Sequence, residues 1–302
     1  MQADVALLTE RRYVGTQADD DDWYLANILH DDGLLRAALA ERGLSSVRVD
    51  WSDPRVDWSA FGWAVFRTTW DYFDRFAEFT AWLDRVEPLT RWCNAAALIR
   101  WNWDKHYLAD LAARGVSVVE SRFIERGSAV CLRELLAATG WAEAVVKPCI
   151  SGAARHTYRL HRDDPDTLQA VNRIVGQLLA TESLIVQPFQ RQVVERGEDS
   201  LVVIDGRFTH AVRKLAKPGD FRVQDDHGGT VHPHQPTPRQ IALAEHAVAV
   251  CRPAPVYARV DMIVDNHGRD AIMELELIEP ELWLRLHPPA ATALAAAIAA
   301  RA

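Results

Sequence analysis

Cysteine is scarce and scattered. Cys93, Cys131, Cys149 and Cys251 are the only four in 302 residues, and no two form a CxxC pair. That spacing argues against a disulfide framework and against a thiolate zinc cage. No apolar run reaches the roughly 18 to 20 residues that a bilayer span needs. Met1-Gln-Ala-Asp lacks the basic start of a secretion signal, so a cytoplasmic location with no membrane partner is expected. Basic residues number 34 against 42 acidic, for a formal net charge of -8, and no Lys/Arg stripe interrupts the balance; nucleic acid is not an expected partner. There is no GxGxxG, hence no dinucleotide fingerprint, and no GxxxxGK[ST], hence no Walker A loop. Internal repeats and disordered linkers are also missing.

What remains is a globular composition, 49% hydrophobic and 25% charged, long enough for about two domains or three small ones. The first part alternates strand and helix. Val5 to Leu8 is followed by helical periodicity from Trp23 to Arg42 that Gly43 closes, then by Val47 to Val49, Ala64 to Phe66 and a helix over Phe73 to Val86. This βαβ rhythm predicts a small parallel sheet. Asn94 reads as the N-cap of a helix over Ala95 to Ile99, and Asp104 as the start of another that Gly115 ends. Further on come an extended Val116 to Ile124, a helix over Leu132 to Ala138, and the strand Ala144-Val-Val-Lys147-Pro148. Then follow the small-residue loop Ser151-Gly152-Ala153-Ala154, an extended His156 to Leu160, a helix over Pro165 to Ala180, a short buried strand Ser183 to Gln187 and a hairpin across Asp205-Gly206. Lys217 to Pro238, rich in Gly, Pro, Asp and His, reads as a long loop. Arg239 to Cys251 and Pro289 to Ala302 read as helices.

Between those two helices lies the segment richest in chemistry. Arg259-Val-Asp261 and Met273-Glu274-Leu-Glu276-Leu-Ile-Glu279-Pro280 read as adjacent strands joined through the turn Asp265-Asn266-His267-Gly268. Alternation then puts Asp261, Glu274 and Glu276 on one side. Three converging acids need a cation, and oxygen-only ligands suit a hard ion such as magnesium, which shares its shell with nucleotide phosphates. A polar, solvated hairpin face is the plainer alternative. Lys147, at a strand end before small residues, can neutralise a phosphate that the loop amides approach closely. Arg213-Lys214 through Arg222 to His227-Gly228-Gly229 adds cations able to close over a polyphosphate.

The order of these motifs from Asn94 to Ala302 resembles the ATP-grasp superfamily of carboxylate-amine ligases. The expected fold is therefore α/β, with α+β character in the ATP-grasp part. A small N-terminal parallel-sheet domain for substrate (1-93) would precede a two-lobed ATP-grasp fold: a central lobe with the phosphate loop (94-190) and a catalytic lobe (191-302). The resemblance implies that Lys105, Lys147, Ser151, Gly152 and Ala153 hold ATP phosphates. It places adenine on the hinge Gln187, Pro188 and Phe189, and ribose on Glu198 or its rival Glu195. It also implies that Asp261, Glu274 and Glu276 bind magnesium, two ions in all, and that Arg222, Lys214 and Arg259 serve catalysis, Arg259 by stabilising an anionic acyl-phosphate adduct. Glu276 stands where relatives commonly carry Asn, an extra charge that either tightens two-metal binding or only adjusts geometry.

Arg-Thr-Thr-Trp-Asp-Tyr at 67–72, Arg-Trp-Asn-Trp-Asp-Lys at 100–105 and the acidic strand together resemble a RimK-like branch. That branch includes a cyclo-ligase that closes the cycloserine ring from O-ureido-serine. The resemblance implies ATP-dependent activation of a carboxylate as acyl phosphate and attack by a nitrogen, either of the same molecule or of a second amino acid. A nucleotide-binding regulator without turnover and a hydroxyl kinase are the other readings. For an amino-acid-like small molecule, Arg67, Thr69, Trp70, Asp71 and Tyr72 are the candidate contacts, with Arg67 on the carboxylate and Asp71 on the ammonium. Asp71 as a helix cap and Trp70 packed on the sheet are the alternatives. Asp19 to Asp22 read either as acids that reach the cleft or, more plainly, as a solvated helix start. His227, His232 and His234 lack fixed zinc-ligand spacing. The sequence leaves a homodimer or higher homo-oligomer open.

Overall fold

The computed structural model describes residues 3–223 and 228–301. Three sheets form its frame. The first is parallel, in the order β2 (Ser46–Asp50), β1 (Val5–Thr9), β3 (Trp63–Thr68), β4 (Arg91–Cys93). Every residue of β1 and β3 is buried, as expected for central strands of a parallel sheet covered on both faces. Helix α1 (Trp23–Ala40) covers one face, packing Leu35 and Leu39 against Leu294 and Ile298 of the last helix, α9 (Pro289–Ala299). Helix α2 (Phe76–Val86) covers the other through Phe79, Trp82 and Leu83. Asp22 caps α1 by accepting from the Leu25 amide, so the aspartate run does begin a helix.

The second sheet is antiparallel, ordered β5 (Arg122–Ile124), β8 (Leu184–Pro188), β6 (Glu143–Pro148), β7 (Tyr158–His161). Helices α5 (Leu132–Thr139) and α6 (Pro165–Leu178) share its apolar core. The third is also antiparallel: β11 (Thr230–His234), β10 (Arg207–Leu215), β9 (Glu198–Ile204), β12 (Tyr257–Val264), β13 (Asp270–Glu276). Helix α8 (Pro238–Ala249) packs on it behind a Thr237–Gln240 capping box. Among the described residues no helix is long and apolar enough to cross a membrane.

Several local expectations are corrected. Asn94 caps nothing: α3 runs Ala96–Asn102 without a side-chain cap, and the buried Asn94 amide donates to Tyr257 O and Leu277 O while its oxygen accepts from Val256 N. The helix after Asp104 begins later, as α4 (Tyr107–Ala113), with the Asp104 carboxylate accepting from the His106 amide. Only the end of 116–124 is a strand. The supposed loop 217–238 contains β11, whose pairing to β10 is a tertiary fact. A short helix, α7 (Gln192–Arg196), had no sequence signal strong enough to register.

On the outer edge of β13, Ile272 exchanges backbone bonds with Ser117 and Val119, and beyond it the backbone is satisfied by side chains. Tyr107 OH accepts from Leu275 N, the Asn102 amide donates to Leu275 O and accepts from Leu277 N, and Asn94 takes Leu277 O. Buried backbone groups require such partners. Here side chains from the start of the central segment stand in for a strand.

Candidate active site

The β12–β13 register sets Asp261 opposite Glu274 and Arg259 opposite Glu276. Oxygens of Asp261, Glu274 and Glu276 all lie within 4.8 Å of one another. The three acids face a cavity of about 680 Å³ bounded by the second and third sheets and by segments that follow strands of the first. Four cations converge there from separate elements. Lys105 bonds Glu274 Oε1 at 2.9 Å and Ser151 O at 2.7 Å. Lys214, on β10, sits between Glu198 (2.5 Å) and Asp261 (3.0 Å). Arg259 grips Asp261 with two nitrogens and also donates to Glu276. Lys147 has no hydrogen-bonded partner among the described residues, and burial lowers its pKa. A ligand anion is the missing partner that such a lysine can accept.

The charges are unequal in consequence. Burial would raise the Asp261 carboxyl, but Arg259 and Lys214 outweigh it and hold it below its ordinary value. Ser200 Oγ adds a 2.6 Å bond. Burial pushes Glu276 up to about 7, with repulsion from Asp261 and Glu274 adding to it and Arg259 only partly offsetting it. Three carboxylates within ligand distance are thus short of positive charge. An all-oxygen donor set in that condition fits magnesium.

The small-residue loop meets the cavity where the cations gather. A Cβ on Gly152 would lie 2.5 Å from the Phe73 ring, so any larger residue would have to displace that ring, and Ala153 and Ala154 hold φ of 46° and 56°. At the other end, Gln187, Pro188 and Phe189 line the wall. Asn266, in the β12–β13 turn, donates to Phe189 O and Gln190 Oε1 and accepts from Arg191 N, so the hinge is fastened to the acidic hairpin. Glu198 lines the cavity, whereas Glu195 lies in a separate depression behind the hinge. Arg222 reaches the cavity from its loop, paired with Asp220 at 2.6 Å. His227 lies outside the described residues; His232 bonds Thr230 and His234 faces Arg213, so they are engaged separately.

The expected substrate contacts divide. Trp70 and Tyr72 line the cavity; Arg67, Thr69 and Asp71 do not. Arg67 is buried with its Nε on Asp32 of α1 at 2.8 Å. Asp71 accepts from Trp51 Nε1 and Arg75, and Thr69 is wholly buried. Arg67 and Asp71 therefore have local charges to balance and are not free to divide those of a ligand. In their place stand Arg12, Tyr13, Tyr24, Glu279 and Trp283. Arg12 and Tyr13 follow β1 in a single 3₁₀ turn without any motif; Glu279 belonged to a run already singled out, but no spacing rule marked it.

Comparison with known proteins agrees with this geometry. Residues 5–94 match the family of the D-cycloserine synthetase DcsG N-terminal domain, and residues 126–267 the ATP-grasp domain of prokaryotic glutathione synthetase. The chain is 36% identical over 279 residues to the cycloserine biosynthesis protein DcsG of Streptomyces lavendulae, covering 86% of this chain and 89% of that one. The crystal structure of D-cycloserine synthetase DcsG superposes with a TM-score of 0.86 at 33% identity, over 98% of this chain and 99% of the other. D-alanine–D-alanine ligase from Bacillus anthracis, solved with ATP, shares the fold at a TM-score of 0.65 and 14% identity, over 99% and 98% of the two chains. The chain belongs to the DcsG family of ATP-grasp enzymes and is an ATP-dependent ligase that forms a carbon–nitrogen bond.

Proposed function

We propose that this enzyme closes the ring of D-cycloserine from O-ureido-D-serine. The observation that carries the reading is the meeting, in one cavity, of three carboxylates within 4.8 Å and the cations Lys105, Lys147, Lys214 and Arg259, in a chain 36% identical to a cycloserine biosynthesis protein. ATP lies with its adenine along Gln187 to Phe189, its ribose at Glu198 and its phosphates against Lys105, Lys147 and the loop Ser151 to Ala153. Asp261, Glu274 and Glu276 would hold the magnesium, two ions in our reading, which when bound would supply positive charge to the phosphate oxygens of the nucleotide.

The chain's own work is placement and charge balance. The substrate carboxylate, held at Arg259, attacks the γ phosphorus, and the bond to ADP breaks with its electron pair leaving on ADP. Arg259, Arg222 and Lys214 spread the charge that develops. In the acyl phosphate the nitrogen bonded to the side-chain oxygen attacks the acyl carbon; phosphate departs with its electron pair and the nitrogen loses a proton. The product ring carries no carbamoyl group, so water must remove it as carbon dioxide and ammonia.

Purified enzyme with ATP, magnesium and O-ureido-D-serine, without any added amine, tests this directly. ADP, phosphate, ammonia and the cyclic product are expected in equal amounts, and hydroxylamine should trap a hydroxamate. Dependence on a second amino acid would convert the reading to an intermolecular amide ligase; ADP release without hydroxamate would make the enzyme a kinase.

A further inference from the structure

Seven acidic side chains line the cavity, and six of them are matched by a cation. Glu198 and Asp261 face Lys214, Glu274 faces Lys105, Glu276 faces Arg259, Glu281 faces Arg285 and Asp74 faces Arg155. Glu279 is the exception: among the described residues no cationic side chain lies within ion-pair distance of it. The backbone that carries it is fixed. Its own carbonyl accepts from Trp70 Nε1 at 2.8 Å, and the preceding carbonyl, of Ile278, accepts from Tyr257 OH at 2.7 Å. Trp70 in turn packs against Tyr13 and Tyr24, with ring centroids 5.6 and 5.8 Å away.

A carboxyl side chain on a fixed backbone, without a cation and in a ligand cavity that Trp70, Tyr13 and Tyr24 also line, is built for an ammonium group. Resting on the cyclo-ligase reading above, we infer that Glu279 is the specificity-determining residue that receives the α-ammonium of the amino-acid substrate, with Trp70 forming the adjoining wall. Substrate chemistry requires an acid at this place. The reacting carboxylate must lie at Arg259 and the metal acids, and the ammonium is two bonds from it. Glu279 follows Glu276 by three residues along the same segment. Burial and repulsion from Glu276 and Glu274 raise the Glu279 carboxyl well above its ordinary value, which an incoming cation would reverse.

The experiment compares O-ureido-D-serine with its deaminated analogue, 3-(ureidooxy)propanoate, in the full-length enzyme. ADP release gives kcat/KM for each, and calorimetry on enzyme loaded with magnesium and a non-hydrolysable ATP analogue gives binding. The parent should prefer the amino compound. Glu279→Gln should shrink that preference about 100-fold, the scale of a lost charge-assisted hydrogen bond, chiefly through KM and binding, with KM for ATP showing that the fold is kept. Glu279→Asp, which retains the charge, should recover part of the preference. A preference ratio unchanged in both variants overturns the assignment. If the parent makes no ring but releases ADP with another amino acid, the cyclo-ligase reading fails, and the same ratio measured with that amino acid and its deaminated counterpart still decides the role of Glu279.

Discussion

Arg259 is held by the acids it must balance, two nitrogens on Asp261 and one on Glu276, so its removal separates binding from chemistry. In Arg259→Ala, Lys214 still compensates Asp261 and the nucleotide contacts are untouched. ADP release should fall about 10²- to 10³-fold, the range for losing one electrostatic stabiliser of a developing charge, while affinity for an ATP analogue, measured by fluorescence titration, stays close to the parent's. Equal losses in both would show that Arg259 holds the nucleotide. Glu276 poses the opposite question, because an Asn there would offer an oxygen without a charge. Glu276→Asn should raise the magnesium concentration for half-maximal activity about tenfold, on the scale of disturbing groups that support a metal, and turnover should return at saturating magnesium. Turnover absent at every magnesium concentration would mean the second carboxylate is part of the mechanism.

The elements that carry these residues are stiffened by contacts that no local pattern announces. Edge strand β13 is completed by Asn94, Asn102 and Tyr107, and Asn102 alone satisfies Leu275 O and Leu277 N. Asn102→Ala would orphan two buried backbone groups at about 1–3 kcal/mol each. Urea denaturation should show a loss of about 2 to 6 kcal/mol together with a raised magnesium requirement, since Glu274 adjoins the freed segment and Glu276 lies within it; a loss of stability with an unchanged magnesium requirement would confine Asn102 to the scaffold. Asn266→Ala should act at the other end, raising KM for ATP about tenfold through the hinge bonds it drops while kcat changes little. The strands of the first sheet and the acidic hairpin were legible in the sequence because burial on both faces and strand alternation leave periodic traces. Asn94 was misread because a side-chain amide can cap a helix or clamp three distant backbone groups, and only the tertiary fold chooses. Strand β11 was hidden by Pro233, tolerable on an edge strand, and by the turn residues around it. Arg67 looked like a ligand group because its partner, Asp32, lies 35 residues earlier on another element. Glu279 escaped notice for the converse reason: what marks it is the absence of a cation, which only the assembled cavity reveals.

For the molecule as a whole, the distribution of buried charge gives opposing pH dependences of stability in protein free of nucleotide and metal. His210, on β10, is buried with its Nε2 2.8 Å from Leu282 O, so that nitrogen carries a proton and donates it to the carbonyl. Burial lowers its pKa from 6.5 to about 4. The unfolded chain therefore takes up the second ring proton first, and stability present near neutrality is lost as pH falls from 6.5 toward 4. Glu276 has the opposite sign. Raised from 4.5 to about 7, it keeps its proton longer in the folded state, so stability present at low pH is lost as pH rises through that interval; Glu279 adds in the same direction. At 1.36 kcal/mol per unit, His210 and Glu276 each contribute on the order of 3 kcal/mol, and between pH 4.5 and 6.5 they largely offset each other. Urea midpoints at pH 5, 6 and 7 should separate them. Relative to the parent, His210→Gln should make stability decline more steeply with rising pH, and Glu276→Gln should make it decline less. Saturating magnesium, by displacing the proton from Glu276, should give the parent the pH slope of Glu276→Gln and leave the slope of that variant nearly unchanged. Profiles that shift in parallel for both variants would mean that neither group titrates in this range, and a parent profile insensitive to magnesium would remove Glu276 from the metal site.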